Sequence, residues 1–184
     1  MKGLYFLLDA VRICEQSDAF TKDDTQAFTS WVRDYKDWFM SSKQGVGERV
    51  SKNNHGTCYD LQLFAIAAYL DDVPLMNTIL RTSRERILAH FTETGEQPHE
   101  LDRTQTAHYC AFNLQSWVNL ADAAAQVGDG LWEFAGSDGR GIQKALVWFF
   151  DAMAGGDWPY KQLEPFDKRR LIPLLYAAKA RCCQ

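Results

Sequence analysis

The strongest constraint on how this chain folds is a pair of helix-length stretches that are apolar almost all the way round. Residues 56–70 contain "LQLFAIAAYL", and residues 104–127 form a second Ala-rich, apolar stretch. Their length and alanine content argue against strands, and a helix without a polar face has to be covered on most of its sides. The rest of the chain must supply that cover.

The flanking segments have the pattern for it. Leu4, Leu7, Leu8 and Val11, with Ile13 or Cys14, recur at helical spacing over residues 2–15. Thr21 followed by Asp24 resembles a capping box, and the stripe Phe28, Trp31, Val32, Tyr35, Trp38 and Phe39 carries a helix to about Met40. At that spacing Trp31, Trp38, Trp117 and Trp148 read mostly as core, and Trp158 in "GGDWPY" is the loop exception. Residues 41–55 are polar, contain Gly45 and Gly47, and read as a long loop. Asp71 and Asp72 break the first inner helix before Pro74 opens another over residues 74–92, and "ETGEQPHELD" is a loop. Gly128 closes the second inner helix, Gly139 to Met153 form a further one, "AGGDWPYKQLEP" is a loop, and about Lys168 to Cys182 form the last. No period-2 alternation bounded by hairpin turns occurs. The expected fold is all-α, built of helical hairpins with apolar inner and amphipathic outer helices. Such hairpins pack as a curved solenoid or toroid whose concave face collects the loops entering the inner helices.

Composition excludes several function classes. A chain of 184 residues suffices for one domain with a core, and a formal charge of −4 gives no overall attraction to nucleic acid or an anionic membrane. No apolar run is long enough to span a bilayer. The apolar opening segment is interrupted by Asp9 and Arg12 with no small-residue cleavage site after it, so no export signal is read. Cys14, Cys58, Cys110, Cys182 and Cys183 contain no CxxC pair and read as small core residues or thiols. His55, His99 and His108 lack tight ligand spacing, so no metal is expected. No Gly-rich phosphate loop or nucleophile motif is present, and no cofactor is implied.

Two clusters remain, each at the entrance to an inner helix. In "SKNNHGTCYD", Asn53 or Asn54 can cap the helix, with His55 incidental, or Asn53, Asn54, His55 and Tyr59 can hold an acidic substrate. In "HELDRTQTAHYC", Arg103 and Tyr109 are six residues apart, about 240° around a helix. They converge only if Arg103 sits in the turn before the helix, with Asp102 or Thr104 as cap and Gln105 one turn before Tyr109. Alternatively, Arg103 pairs with Glu100 or Asp102 and Tyr109 packs in the core.

"NNHGTCYDLQ", followed by "QPHELDRTQTAHYCAFNLQSW", resembles the alginate lyase superfamily of polysaccharide lyases. The resemblance extends through "LLDAVRICEQSDAFT", "WVRDYKDWF" and "LADAAAQVGDGLW", which is most of the chain. It implies an incomplete (α/α) toroid lacking the N-terminal hairpins of the family, with residues 1–184 as the C-terminal part of a longer family domain. It also implies cleavage of a uronic-acid polymer (alginate, polymannuronate or glucuronan) by β-elimination.

By the same resemblance Asn54 neutralises the substrate carboxylate, assisted by Asn53, and His55 is a general base or a further neutraliser. Tyr109 protonates the departing oxygen and Arg103 orients the carboxylate. Lys52 and Arg49 would add to the local basic patch, and Tyr59, Gln105 and His108 are expected to contact substrate. An acidic polysaccharide is the expected partner, and self-association through the edge left by the missing hairpins is a further expectation. Relatives are commonly periplasmic or secreted. From the residues alone, two other readings stay open: an inactive carbohydrate-binding remnant and a helical interaction module.

Overall fold

The computed structural model describes residues 3–156 and 158–182. Along the chain run α1 (Leu4–Cys14), α2 (Lys22–Ser41), α3 (Lys43–Arg49), α4 (Asn54–Tyr69) and α5 (Val73–His90). They are followed by α6 (Pro98–Leu101), α7 (Thr106–Gln126), α8 (Ile142–Ala154), a 3-10 turn at Lys168–Arg170 and α9 (Leu171–Cys182). Among the described residues there is no strand, only an isolated antiparallel bridge between Gln105 and Gln162. The expected helix start at Lys2 and the side chains of Cys182 and Cys183 lie outside the described residues. No described helix is long and apolar enough to cross a membrane.

The two apolar stretches become the inner helices. α4 and α7 pack against each other, α5, α1 and α3 cover α4, and α8 and α9 cover α7 in a toroid-like arrangement of hairpins. Phe64, Ile66 and Ala67 of α4 and Leu114, Trp117 and Leu120 of α7 are buried, as the all-round apolar composition requires. Local signals set the helix ends. Asn53 caps α4 by accepting the His55 amide, and Thr21 and Asp24 form the reciprocal capping box of α2. Asp72 caps α5 with Pro74 in its first turn, after Asp71 turns the chain at φ 54°.

Four expectations need correction. The segment read as a loop over 41–55 holds α3, capped by the Ser42 hydroxyl, which accepts the Gly45 amide at 3.1 Å. Gly45 lies so close to α2 that an added Cβ would fall 1.8 Å from the Phe39 carbonyl oxygen, so the residue that looked like a helix breaker permits helix contact. Gly45→Ala is therefore expected to push α3 off α2 and cost about 1–3 kcal/mol, measurable by urea denaturation. Second, the loop over residues 93–102 contains the four-residue α6.

Third, neither Asp102 nor Thr104 caps α7. Its Thr106 amide donates to the Lys161 carbonyl and its Ala107 amide to the Gln162 side chain, so the distant "WPYKQLEP" segment does the capping. Fourth, Trp31 and Trp38 are 43% and 47% exposed, whereas Trp117 is fully buried. On α2 the core direction belongs to Val32 and Phe39, and the two tryptophans flank it.

Candidate functional site

The loops that enter the inner helices meet beside α2. Asn54 and His55 at the start of α4, Arg103 before α7, and His108 and Tyr109 in its first turns line one cavity of about 460 Å³ with Tyr35, Trp38 and Glu48. That volume falls within the usual range for a small-ligand site.

Asn54 is the first residue of α4 and is buried. Its amide donates to Glu100 Oε1, while its side-chain oxygen has no hydrogen-bond partner among the described residues. An unsatisfied buried carboxamide is costly, and a ligand that completes its hydrogen bonds would relieve the cost. His55, next along, is exposed, and its Nδ1 lies 2.7 Å from Glu48 Oε2. With Nδ1–H donating to Glu48, the Nε2 lone pair is the one available as a base.

On the other wall, the Arg103 guanidinium lies 4.0 Å from the Tyr109 ring centroid. This is a cation–π contact rather than an ion pair with Glu100 or Asp102. It arises because Arg103 sits in the turn and Tyr109 in the first turns of α7, the placement that convergence demands. The 158–163 segment holds that turn. The Trp158 indole N–H donates to Thr106 Oγ1 at 2.7 Å, and the Leu163 amide donates to the Thr104 carbonyl at 3.1 Å. His108 meets the Tyr109 ring edge-on at 5.3 Å.

The remaining expected contacts are placed differently. Tyr59 reaches the cavity from the core side, stacked on Phe39 at 4.4 Å. Its hydroxyl has no partner among the described residues, and burial pushes its phenol pKa up. Asn53 spends its side chain on the helix cap. Lys52 and Arg49 line a separate cavity with Arg86 and His90, and Gln105 sits opposite Gln162 in an antiparallel bridge whose hydrogen bonds are made by its neighbours Thr104 and Thr106. The structure thus gathers Asn54, His55, Tyr59, Arg103, His108 and Tyr109 and leaves Asn53, Lys52 and Gln105 outside the cavity lining.

The family model described as Alginate lyase matches residues 2–158. The chain belongs to the alginate lyase family. A crystal structure of an alginate lyase from Bacteroides ovatus is 28% identical and superposes over 100% of the chain with a TM-score of 0.93. The chain covers 50% of that protein, about half its length. A search of curated proteins returned no match.

Within this alginate lyase fold, two acidic residues acquire parts that spacing along the sequence did not signal. Glu48 lies in the segment read as a loop, and its pairing with His55 depends on α3. Glu100 lies in the family-like "HELDR" motif, yet its contact is with Asn54, 46 residues away. It is 1% exposed, and burial pushes its carboxyl up to about 7, against the opposing pull of the Asn54 amide and the Arg103 charge.

A folded pKa near 7, above the ordinary value of 4.5, means that the folded state holds the Glu100 proton more tightly. Glu100 should therefore reduce stability as pH rises from about 4.5 to about 7. Buried His90 acts in the opposite sense: its pKa is lowered to about 3, mainly by burial, so it adds stability as pH rises from about 3 toward 6.5. Glu100→Gln keeps an acceptor for the Asn54 amide and is expected to remove only the Glu100 slope. Denaturation midpoints of the two proteins across pH 4–8 check this, and identical slopes would refute the assignment.

Proposed function

We propose that this cavity cleaves a uronic-acid polymer by β-elimination, with alginate, polymannuronate and glucuronan as candidate substrates, in an incomplete (α/α) toroid. What carries the reading is that the stacked Arg103–Tyr109 pair faces the same cavity as Asn54 and His55, in a chain of the alginate lyase family.

The chemistry needs these groups. The C5 proton of a uronate lies beside a carboxylate whose charge opposes carbanion formation. The Asn54 side-chain NH2 donates a hydrogen bond to that carboxylate and the Arg103 guanidinium offsets its charge, and together they stabilise the enediolate, the kind of preorganised electrostatics that usually dominates catalysis. The C5 proton goes to His55 Nε2 or to Tyr109, according to the stereochemistry at C5. The C5–H electrons form the C4=C5 double bond and the C4–O4 bond breaks. When His55 takes the C5 proton, the neutral Tyr109 phenol supplies the proton to O4; when Tyr109 takes it, Tyr109 starts as the phenolate and passes that same proton on to O4. Glu48 fixes the His55 ring so that Nε2 points outward from the pair.

The test is ultraviolet absorbance of the unsaturated uronate product, with purified protein on each of the three polymers. A rise is expected on at least one. Binding without product would make the chain a carbohydrate-binding remnant, and neither binding nor product would make it a helical interaction module.

A further inference from the structure

We infer that the exposed side of α2 is a sugar-stacking track that continues the cavity and carries further units of the bound polymer across Trp38, Tyr35 and Trp31. The inference rests on the uronate-polymer reading of the cavity. Trp38 and Tyr35 line that cavity together with Asn54, His55, Arg103 and Tyr109. Trp31 lies seven residues before Trp38 on α2, two helical turns away on the same side, so the track extends about 10 Å along the helix axis.

The rings are in contact along it: Trp31 and Tyr35 stack at 5.5 Å with 25° between planes, and Tyr35 meets Trp38 at 5.5 Å and 41°. Two large indoles held 43% and 47% exposed, in line with a cavity, form a surface suited to the apolar C–H face of a pyranose ring. A polymer bound in the cavity must leave it, and this wall leads out of it.

The charges on α2 say how the track attracts its ligand. Lys36 is paired with Asp37 at 3.6 Å, and Arg33 and Asp34 are exposed. Asp34 is three residues after Trp31 and four before Trp38, so it stands on the tryptophan side of the helix. A carboxylate there repels uronate carboxylates. The track therefore binds by stacking against a modest electrostatic opposition, the reverse of the Arg103 clamp.

The experiment compares alginate polymer with size-fractionated alginate oligomers, using initial rates and calorimetric titration of the whole chain. Trp31→Ala is expected to raise KM for the polymer about 2- to 10-fold, leaving kcat and the KM of the shortest cleaved oligomer unchanged. Trp31→Phe should restore most of the loss, which separates stacking from a folding defect. Asp34→Asn should lower KM for the polymer at low salt, and that gain should fade as salt rises. Equal effects of Trp31→Ala on polymer and shortest oligomer, or none on either, would overturn the track. If the wild-type chain releases no product, the calorimetric Kd takes the place of KM. Tighter binding of longer chains that is lost in Trp31→Ala would then keep the track and reject only the lyase reading, whereas binding that is absent or independent of length would overturn the track as well.

Discussion

Tyr109→Phe is expected to lower turnover by at least about 10²–10⁴-fold while leaving polymer binding nearly intact. The variant keeps the ring on which the Arg103 guanidinium rests at 4.0 Å, so the cation–π contact and the placement of Arg103 survive. Tyr109 is half-buried rather than sealed in the core, and Phe fills the same volume. What disappears is the phenolic O–H, the group assigned to protonate O4. The absorbance assay should therefore fall to background while titration with polymannuronate still saturates. Retained turnover would move the acid role away from Tyr109. Loss of binding together with turnover would mean that the hydroxyl holds the substrate rather than reacting with it.

How far this site was legible in the sequence depends on the range of the interactions that build it. α4 could be read because its signals are local: an all-round apolar run preceded by an asparagine that caps it. α3 could not, because two glycines in seven residues have low helix propensity, and what rescues the helix is the fit of Gly45 against the Phe39 carbonyl. The start of α7 was misplaced because its amides find acceptors 55 residues away, at Lys161 and Gln162.

The same division runs through the cavity. Asn54, His55, Arg103 and Tyr109 stood out from two short motifs and their resemblance to a family. Glu48 acquires a meaning only once α3 exists, and Glu100 only once the fold sets it against the Asn54 amide. Trp31 and Trp38 were misjudged because a helical stripe of six apolar residues is wider than the strip that α2 buries, Val32 and Phe39. Periodicity locates a face but does not say how much of that face is covered.

Arg86→Met is expected to cost about 3–5 kcal/mol of stability, because it strands a buried carboxylate. The Arg86 Nε donates to Asp60 Oδ2 at 2.7 Å, and the two side chains are 14% and 5% exposed. Burial pushes the Asp60 carboxyl pKa up, and the guanidinium is the main force pulling it back, with Ser83 contributing a further hydrogen bond. Without Arg86 the carboxyl rises further above its unfolded value. The deficit measured by urea denaturation should then be largest near neutral pH and shrink as acid protonates Asp60. Asp60→Asn added to Arg86→Met should recover much of the loss, since the uncompensated charge is gone.

Activity should not follow stability in that double variant. Arg86 also donates to the carbonyls of Ser51 at 3.0 Å and Arg49 at 2.8 Å, the backbone that joins α3 to α4. A Cβ on Gly56 would fall 2.1 Å from Arg86 Nη1 and 2.3 Å from the Ser51 carbonyl, so the first turn of α4 is built around this guanidinium. With Met in its place those carbonyls lose their donor, and Glu48 on α3 is no longer held in register with His55 on α4. The double variant is therefore expected to melt near the wild-type temperature yet turn over substrate poorly. Full recovery of both properties would show that Arg86 serves only to neutralise Asp60 and does not set the geometry of the cavity.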